Sequence, residues 1–448
     1  MNPRHPFTIR LVLSVLLITA LAGTTLAAAQ QENLLYSFQG PSASSGEDGA
    51  NPFGDLIADD HGNLYGTTYG GGICLLAHHI AYPCGTVFQL SPPATAGGLW
   101  TETVLYEFGT SPLDGSDPAG TLVRDSQGNL YGTTRYSGQD GVSGQGCGTF
   151  FKLSPPAKKG GQWTETILYN FQGNDSDGCG PFGTLVADSK GNIFGVTTEG
   201  GGTGKTDDTG GVFEMSPPAT EGGSWTESFT RPTGPGYFPN GGLAIDSHGK
   251  LFGVMNAGGA GSAGTVYEIV PPSTPGGTWI TSTLYEFKGG TDGGSPAATL
   301  RMDGAGRIYG TTFSGGAANF GTVFRLTPPT NGSSWSKATL YSFQGGSDGR
   351  NPQARMVFDA VGHLYGTTVY GGGAAACSSF GGCGTIFRLS QQGHAWSEQT
   401  VYRFQGPSAD GSYPSGLQFH DGAIYGTTLN GGTVSPYFFG SIFKLGVK

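Results

Sequence analysis

Apolar residues alternate with polar or small ones along most of the chain, in short runs bounded by Gly, Pro and Asp. Residues 121–125 (TLVRD), 129–134 (NLYGTT), 148–153 (GTFFKL) and 163–171 (WTETILYNF) are four such runs in succession. β-Branched and aromatic residues dominate them, which is the composition of strands. Beyond residue 29, no stretch sustains the 3.6-residue period of an amphipathic helix. The set of four runs then recurs. Its most regular member, Gly62-Asn63-Leu64-Tyr65-Gly66-Thr67-Thr68, returns unchanged at residues 128–134. Looser copies start at Gly191, Gly249, Gly306, Gly362 and Gly422. The aromatic inside the unit is Tyr65, Tyr131, Phe194, Phe252, Tyr309, Tyr365 and Tyr425, at spacings of 56 to 66 residues.

Seven units of four short strands predict an all-β fold, a seven-bladed β-propeller of four-stranded antiparallel blades. Both faces of a blade pack on neighbouring blades, so Leu64 and Tyr65 can both be apolar although they point to opposite faces. Gly66 then reads as room for side chains of the adjacent blade. The third run occurs for the seventh time at Gly440 to Leu445, and no fourth run follows it. The missing one stands at the other end, as Leu34-Leu35-Tyr36-Ser37-Phe38. The N-terminal strand is therefore expected to complete the last blade, which would remove the exposed edges of an open array. Repeat 4 departs most, with Phe252-Gly253-Val254-Met255 in the central unit and a weak outer run at residues 227–230.

Composition changes this picture in three places. The chain holds 83 glycines, which without a period would suggest disorder; here they recur beside aromatics, as turns and close-packing sites. Residues 1–29 carry Arg4, His5 and Arg10, then an apolar run from Leu11 to Gly23, then Ala27-Ala28-Ala29. This is a signal peptide by pattern, too short for a membrane span, so residues 30–448 form the expected propeller domain, secreted or periplasmic. A net charge of −10 disfavours nucleic acid and anionic membranes as partners. Six cysteines in an oxidising compartment imply disulfides. Their placement in the loops suggests Cys74–Cys84, Cys147–Cys179 and Cys377–Cys383.

The units GNLYGTT, GTVF-x-L-S-P-P and W-T-E-T-x-L-Y-x-F resemble the bacterial GloVer tandem repeat, found in choice-of-anchor proteins. The resemblance covers residues 33 to 446. It implies a secreted β-propeller and brings no established activity, substrate or catalytic residue. Many members end in a sorting anchor. This chain shows none, so free secretion as a monomer is expected.

In an up-and-down blade, the loops between strands two and three share a face with the blade-to-blade connections. These are the long, irregular loops here, so any site belongs on that face, near the channel mouth. The connections carry Asp-Gly-x-x-Pro at Asp48, Asp114, Asp177, Asp292, Asp348 and Asp410. As a set these carboxylates could bind Ca²⁺ or a polyhydroxylated ligand. Singly they are turn residues bonding local N–H groups. No other cofactor is expected. Asp59, Asp125, Asp188, Asp246, Asp303 and Asp359 read as turn aspartates on the opposite face. Trp100, Trp163, Trp225, Trp279, Trp335 and Trp396 read as packing anchors or, less simply, carbohydrate-stacking rings. His78 and His79 read as solvated loop residues. Arg124, Arg301 and Arg355 occupy different strand offsets and are not expected to converge. The first-strand positions facing the channel read mostly Gly, Ala, Thr and Leu. The sequence thus favours a non-catalytic binding or scaffold module for polysaccharide or protein. The alternative is a channel-mouth enzyme of lyase or lactonase type, metal-dependent in one version.

Overall fold

The Leu-Tyr-Gly-Thr-Thr unit forms the second strand of every blade, and each letter has a physical role. Leu64 and Tyr65 are buried on opposite faces. A Cβ on Gly66 would lie 2.7 Å from the Phe88 ring and 3.0 Å from Leu56. The same Phe or Tyr crosses Gly132, Gly195, Gly253, Gly310, Gly366 and Gly426. The glycine therefore makes room for the aromatic of its own blade's third strand, which corrects the expectation of a neighbouring blade. Thr67 Oγ1 donates to the Gly120 carbonyl of the next blade at 3.0 Å, and Thr68 Oγ1 pairs with Thr86 Oγ1 at 2.8 Å. That second pairing recurs at Thr134–Thr149, Thr312–Thr322, Thr368–Thr385 and Thr428–Ser441.

These sheets make a seven-bladed propeller. The computed structural model describes residues 32–40, 48–72, 84–95, 97–110, 113–137, 146–158, 160–174, 177–200, 209–220, 222–274, 277–330, 334–432 and 439–447. The leader expected at residues 1–29 lies outside them. Blade 1 contains Gly49–Pro52 and Ile57–Ala58 as the two halves of its innermost strand, then Leu64–Gly71, Thr86–Ser91 and Thr101–Glu107. Blades 2 to 6 repeat the order, with second strands Leu130–Thr134, Ile193–Gly200, Leu251–Gly258, Ile308–Ser314 and Leu364–Tyr370. Blade 7 contains Ser412–His420, Ala423–Asn430 and Ser441–Gly446, and its outer strand is Glu32–Ser37. Leu34 pairs with Phe443 and Ser37 with Ser441, so the two ends of the chain share one sheet as expected. Among the described residues the only helical elements are two 3₁₀ turns, Gly290–Asp292 and Ala375–Phe380.

The core lies between blades rather than at one centre. Phe38, Leu56, Leu64, Phe88, Tyr425 and Ile442 form one cluster that joins blades 7 and 1. The outer-strand phenylalanine of one blade meets the third-strand phenylalanine of the next at 5.0–5.2 Å, in the order Phe38–Phe88, Phe108–Phe151, Phe171–Phe213, Phe287–Phe324, Phe343–Phe387 and Phe404–Phe443.

A second seam runs around the loop face. The residue before the proline of each connection is left-handed in all seven blades: Asn51, Asp117, Gly180, Phe238, Ser295, Asn351 and Tyr413 have φ between 53° and 64°. Its N–H donates to a carbonyl of the preceding blade, from Asn51→Phe439 round to Tyr413→Cys383. The proline then covers a glycine of that blade. A Cβ on Gly440 would come within 2.6 Å of Pro52 Cδ, and one on Gly85 within 2.5 Å of Pro118 Cδ. A positive φ costs energy in a non-glycine residue and persists only where the surroundings enforce it. Here the seam enforces it. It splits the innermost strand in two in blades 1, 4, 5 and 6, and shifts its register in blades 3 and 7.

Candidate functional site

The six Asp-Gly aspartates stand where an outer strand hands over to the next blade. Each carboxylate accepts the hydroxyl of the tyrosine ending that outer strand. The pairs are Tyr36–Asp48 at 3.2 Å, Tyr106–Asp114 at 3.2 Å, Tyr169–Asp177 at 3.1 Å, Tyr285–Asp292 at 2.9 Å, Tyr341–Asp348 at 3.0 Å and Tyr402–Asp410 at 2.5 Å. Each also accepts a backbone N–H just beyond that strand, from Gln39, Thr110, Gln172, Lys288, Gln344 or Gln405. The aspartate is thus a corner bracket within one blade junction. Among the described residues no three His, Cys, Asp or Glu side chains come together as a metal-holding group. At the junction of blades 3 and 4 the bracket is replaced. Thr230 holds the register of the missing tyrosine, and the Thr233 hydroxyl meets that of Thr281 instead.

The seam points a different set of residues inward. One residue after the Gly or Ala of six connections come Asp55, Thr121, Thr184, Gly242, Thr299 and Arg355; the blade 7 connection is one residue shorter, and there Gly416 follows Ser415. From blade 7 through blade 1 to blade 5 the innermost backbones touch: a Cβ on Gly54 would meet the Gly120 carbonyl at 2.7 Å, and one on Gly416 the Gly54 carbonyl at 2.7 Å. Only small side chains, or those that bond one another, fit such a channel. Thr121 and Thr184 hydroxyls lie 3.4 Å apart, and Thr299 donates to Thr184 at 3.0 Å. Thr121 Oγ1 accepts the Asp55 N–H at 3.1 Å, and Asp55 Oδ1 accepts the Leu417 N–H at 3.1 Å. Arg355 Nε stands 3.3 Å from Asp55 Oδ2, and its Nη2 donates to Gln418 Oε1 at 3.3 Å. Burial pushes the Asp55 carboxyl up, and Arg355 opposes the shift. This ring floors a cavity of about 100 Å³ whose walls include Phe53, Phe182, Asn240, Gln353, Tyr413 and Ser415.

The rim above is aromatic and cationic. Phe53 and Phe182 meet across the mouth with ring centroids 5.2 Å apart, although they belong to blades 1 and 3. Arg135 lies 5.2 Å from the Tyr136 ring and 5.7 Å from that of Phe182. Arg350 does the same with Tyr370 and Phe320, at 5.4 and 5.6 Å, and Tyr370 packs on Tyr413. Tyr237 and Phe238 stack edge to face and stay 39% and 45% exposed, despite their apolar area. Asp117 is buried, and burial pushes its carboxyl up to about 6 against the opposing pull of Tyr69 and Arg135.

The remaining candidates fall into structural places. Asp59 Oδ1 accepts the N–H groups of His61 and Asn63, and its Oδ2 accepts the Tyr65 hydroxyl; Asp125, Asp303 and Asp359 repeat the motif. The tryptophans are half-buried and pack on the preceding blade, as Trp100 on Tyr425 and Trp225 on Tyr131. Cys147–Cys179 joins blades 2 and 3, and Cys377–Cys383 closes a loop of blade 6. Cys84 is disulfide-bonded; Cys74, with His78 and His79, lies outside the described residues. Burial lowers the pKa of Arg301 and the charge of Arg355 lowers it further, while Arg355 itself is held in the channel by Asp55 and Gln418. Asp55 itself went unnoticed in the sequence, since each channel position is unremarkable within its own repeat.

Geometry therefore defines a closed propeller with a polar channel floor and an aromatic rim. The chain belongs to the Gloeobacter/Verrucomicrobia repeat family, whose model matches residues 24–244, 75–300 and 239–448. No curated protein matches it in sequence. Among solved structures it is similar to a protein of unknown function from Dyadobacter fermentans DSM 18053, at 11% identity and a TM-score of 0.45, covering 93% of this chain and 98% of that one. It is also similar to PhoX of Pseudomonas fluorescens in complex with vanadate, at 10% identity and a TM-score of 0.46, covering 94% and 95%. The NanB sialidase of Streptococcus pneumoniae matches at 13% identity and a TM-score of 0.42, covering 94% and 71%. At this distance no chemistry is carried over from any of them.

Proposed function

We propose that this protein is an extracellular, non-catalytic binding module that takes a carbohydrate segment at the channel mouth on its loop face. One observation carries the reading: the mouth joins aromatic faces to hydroxyl, amide and guanidinium groups, while the floor's Asp55 and Arg355 are engaged with each other. Flat apolar rings beside planar hydrogen-bonding groups suit sugar rings, which have apolar faces and hydroxylated edges. The acidic chain charge and the closed disulfides accord with a secreted protein. Affinity electrophoresis in gels containing neutral or acidic polysaccharides tests this. Wild-type protein is expected to be retarded, and the Phe53→Ala/Phe182→Ala variant to migrate freely. Equal migration of both in every gel would count against the proposal.

One observation favours a second, catalytic reading. Asp117 sits on the rim with its carboxyl raised to about 6, beside Arg135 and Tyr69. A raised carboxyl near a cleft is a candidate general acid or base. On that reading the bound sugar would be cleaved, and Asp117→Asn would abolish cleavage while retaining retardation in the gel.

A further inference from the structure

The channel has a bonded floor. Side chains from blades that are not neighbours hold one another across it: Thr299 donates to Thr184 at 3.0 Å past blade 4, and Arg355 Nε lies 3.3 Å from Asp55 Oδ2 past blade 7. The backbones around them draw in as well. The innermost strands of blades 2 and 3 pair in parallel, Gly120 with Gly183, and a parallel bridge joins Thr184 to Gly242 of blade 4. A chain of sugars cannot thread through this floor without breaking those bonds.

Above the floor the wall is divided. The residue after the proline of each connection lines the cavity. Blades 1 to 3 give Phe53, Ala119 and Phe182, whereas blades 4, 6 and 7 give Asn240, Gln353 and Ser415. The apolar half is shut. Phe53 and Phe182 meet at 5.2 Å past blade 2, and Arg135 of blade 2 lies 5.7 Å from the Phe182 ring. On the polar half, Ser415 is engaged with the Pro52 carbonyl at 3.1 Å and the Thr427 hydroxyl at 3.0 Å. The half-buried side-chain amides of Asn240 and Gln353 have no hydrogen bond within the protein among the described residues. Each keeps two donors and an acceptor for whatever enters.

Resting on the carbohydrate reading above, we infer that the cavity takes the terminal sugar of a glycan chain and no sugar of the chain's interior. The terminal ring sets its apolar face on Phe53 and Phe182 and its hydroxyls on Asn240 and Gln353. Room is the first reason. The cavity holds about 100 Å³. That is well below the roughly 300 Å³ at which pockets begin to enclose a drug-sized ligand. Direction is the second. An interior sugar carries chain on both sides and needs two ways out. The floor closes the way down, and the phenylalanine pair closes the side of blades 1 to 3. One way out remains, over the polar half, and a terminal sugar needs one.

Isothermal titration with linear polysaccharides of graded length tests this, using size fractions of pullulan, xylan, polygalacturonate and alginate. For a polysaccharide that binds, the number of proteins bound per chain should stay constant as the chain lengthens, and so should the affinity per chain. Asn240→Ala/Gln353→Ala should keep the wild-type melting temperature, because those amides bond nothing in the protein. It should lose about tenfold in affinity for the shortest fraction, the loss expected from two neutral hydrogen bonds. A number bound per chain that grows with length would show binding along the interior. That result overturns end-on recognition and leaves the carbohydrate reading standing. Unchanged affinity in the double variant would likewise overturn the placement of the terminal sugar. No binding of any fraction would take down the carbohydrate reading and this inference together.

Discussion

The guanidinium of Arg355 lies 3.3 Å from the carboxylate of Asp55, although blade 7 stands between their two blades. Blade 7 takes part in the contact: its Gln418 Oε1 accepts from Arg355 Nη2 at 3.3 Å, and its Leu417 N–H donates to Asp55 Oδ1 at 3.1 Å. Asp55 is 5% exposed and Arg355 20%. Removing one partner of a buried ion pair leaves an uncompensated charge, so Arg355→Met should cost about 3–5 kcal/mol of stability. Asp55→Asn/Arg355→Met should regain most of it. Urea unfolding of the two single variants and the double variant measures this coupling. A single variant as stable as the wild type would mean that the pair contributes nothing.

Closure of the ring makes the N-terminal strand part of blade 7. Phe38 is fully buried, meets Phe88 of blade 1 at 5.2 Å, and donates its N–H to Gly440. Phe38→Ala should cost about 3–5 kcal/mol. Deleting residues 32–39 should lower the melting temperature sharply or abolish soluble protein. A deletion with unchanged melting would show the strand to be an unpaired tail, because fraying such a tail costs little.

The fold was legible because the propeller repeats its constraints. Gly66, Thr68 and Phe88 each recur at the same register, so seven weak signals add up. The channel site was not legible for the opposite reason. Asp55, Thr121, Thr184, Thr299 and Arg355 come from five blades and share no motif; only the closed ring makes them neighbours. Aligning the repeats on the following Leu or Met would have exposed the position as variable in charge. The Asp-Gly series drew attention by its regularity, and that regularity reflects the corner it builds: Asp114 alone bonds Tyr106, Thr110 and Gly115.

The brackets can be separated from ligand binding. Asp114 is 2% exposed, and its lone pairs are engaged within the junction. Asp114→Ala should lower stability by about 1–3 kcal/mol, the cost of leaving buried donors without an acceptor. If Asp114 also served a ligand or Ca²⁺, Asp114→Asn would reduce affinity in isothermal titration with little change in stability. Lost stability with unchanged affinity is the outcome expected from the geometry.

The turn aspartates on the opposite face should give the protein its acid limit. Burial pushes Asp303 up, but the Arg307 side chain, the N–H groups of Arg307 and Ala305, and the Tyr309 hydroxyl outweigh it and hold the carboxyl below its usual range. Asp59 and Asp359 are held down in the same way. A depressed carboxyl adds stability above its unfolded value, near 3.8, and that stability is lost as pH falls through the folded value. The stability gap between wild type and Asp303→Asn should be about 1–2 kcal/mol at neutral pH. It should close below about pH 3. A gap that persists in acid would assign it to packing rather than charge.

Amide hydrogen exchange with and without a panel of neutral and acidic oligosaccharides tests the central claim most directly. The account predicts slowed exchange at the channel mouth, in segments 53–55, 119–121, 182–184, 353–355 and 413–415, with no change in the Ser-Pro-Pro turns on the other face. Protection confined to those turns, or none anywhere with any sugar in the panel, would contradict it.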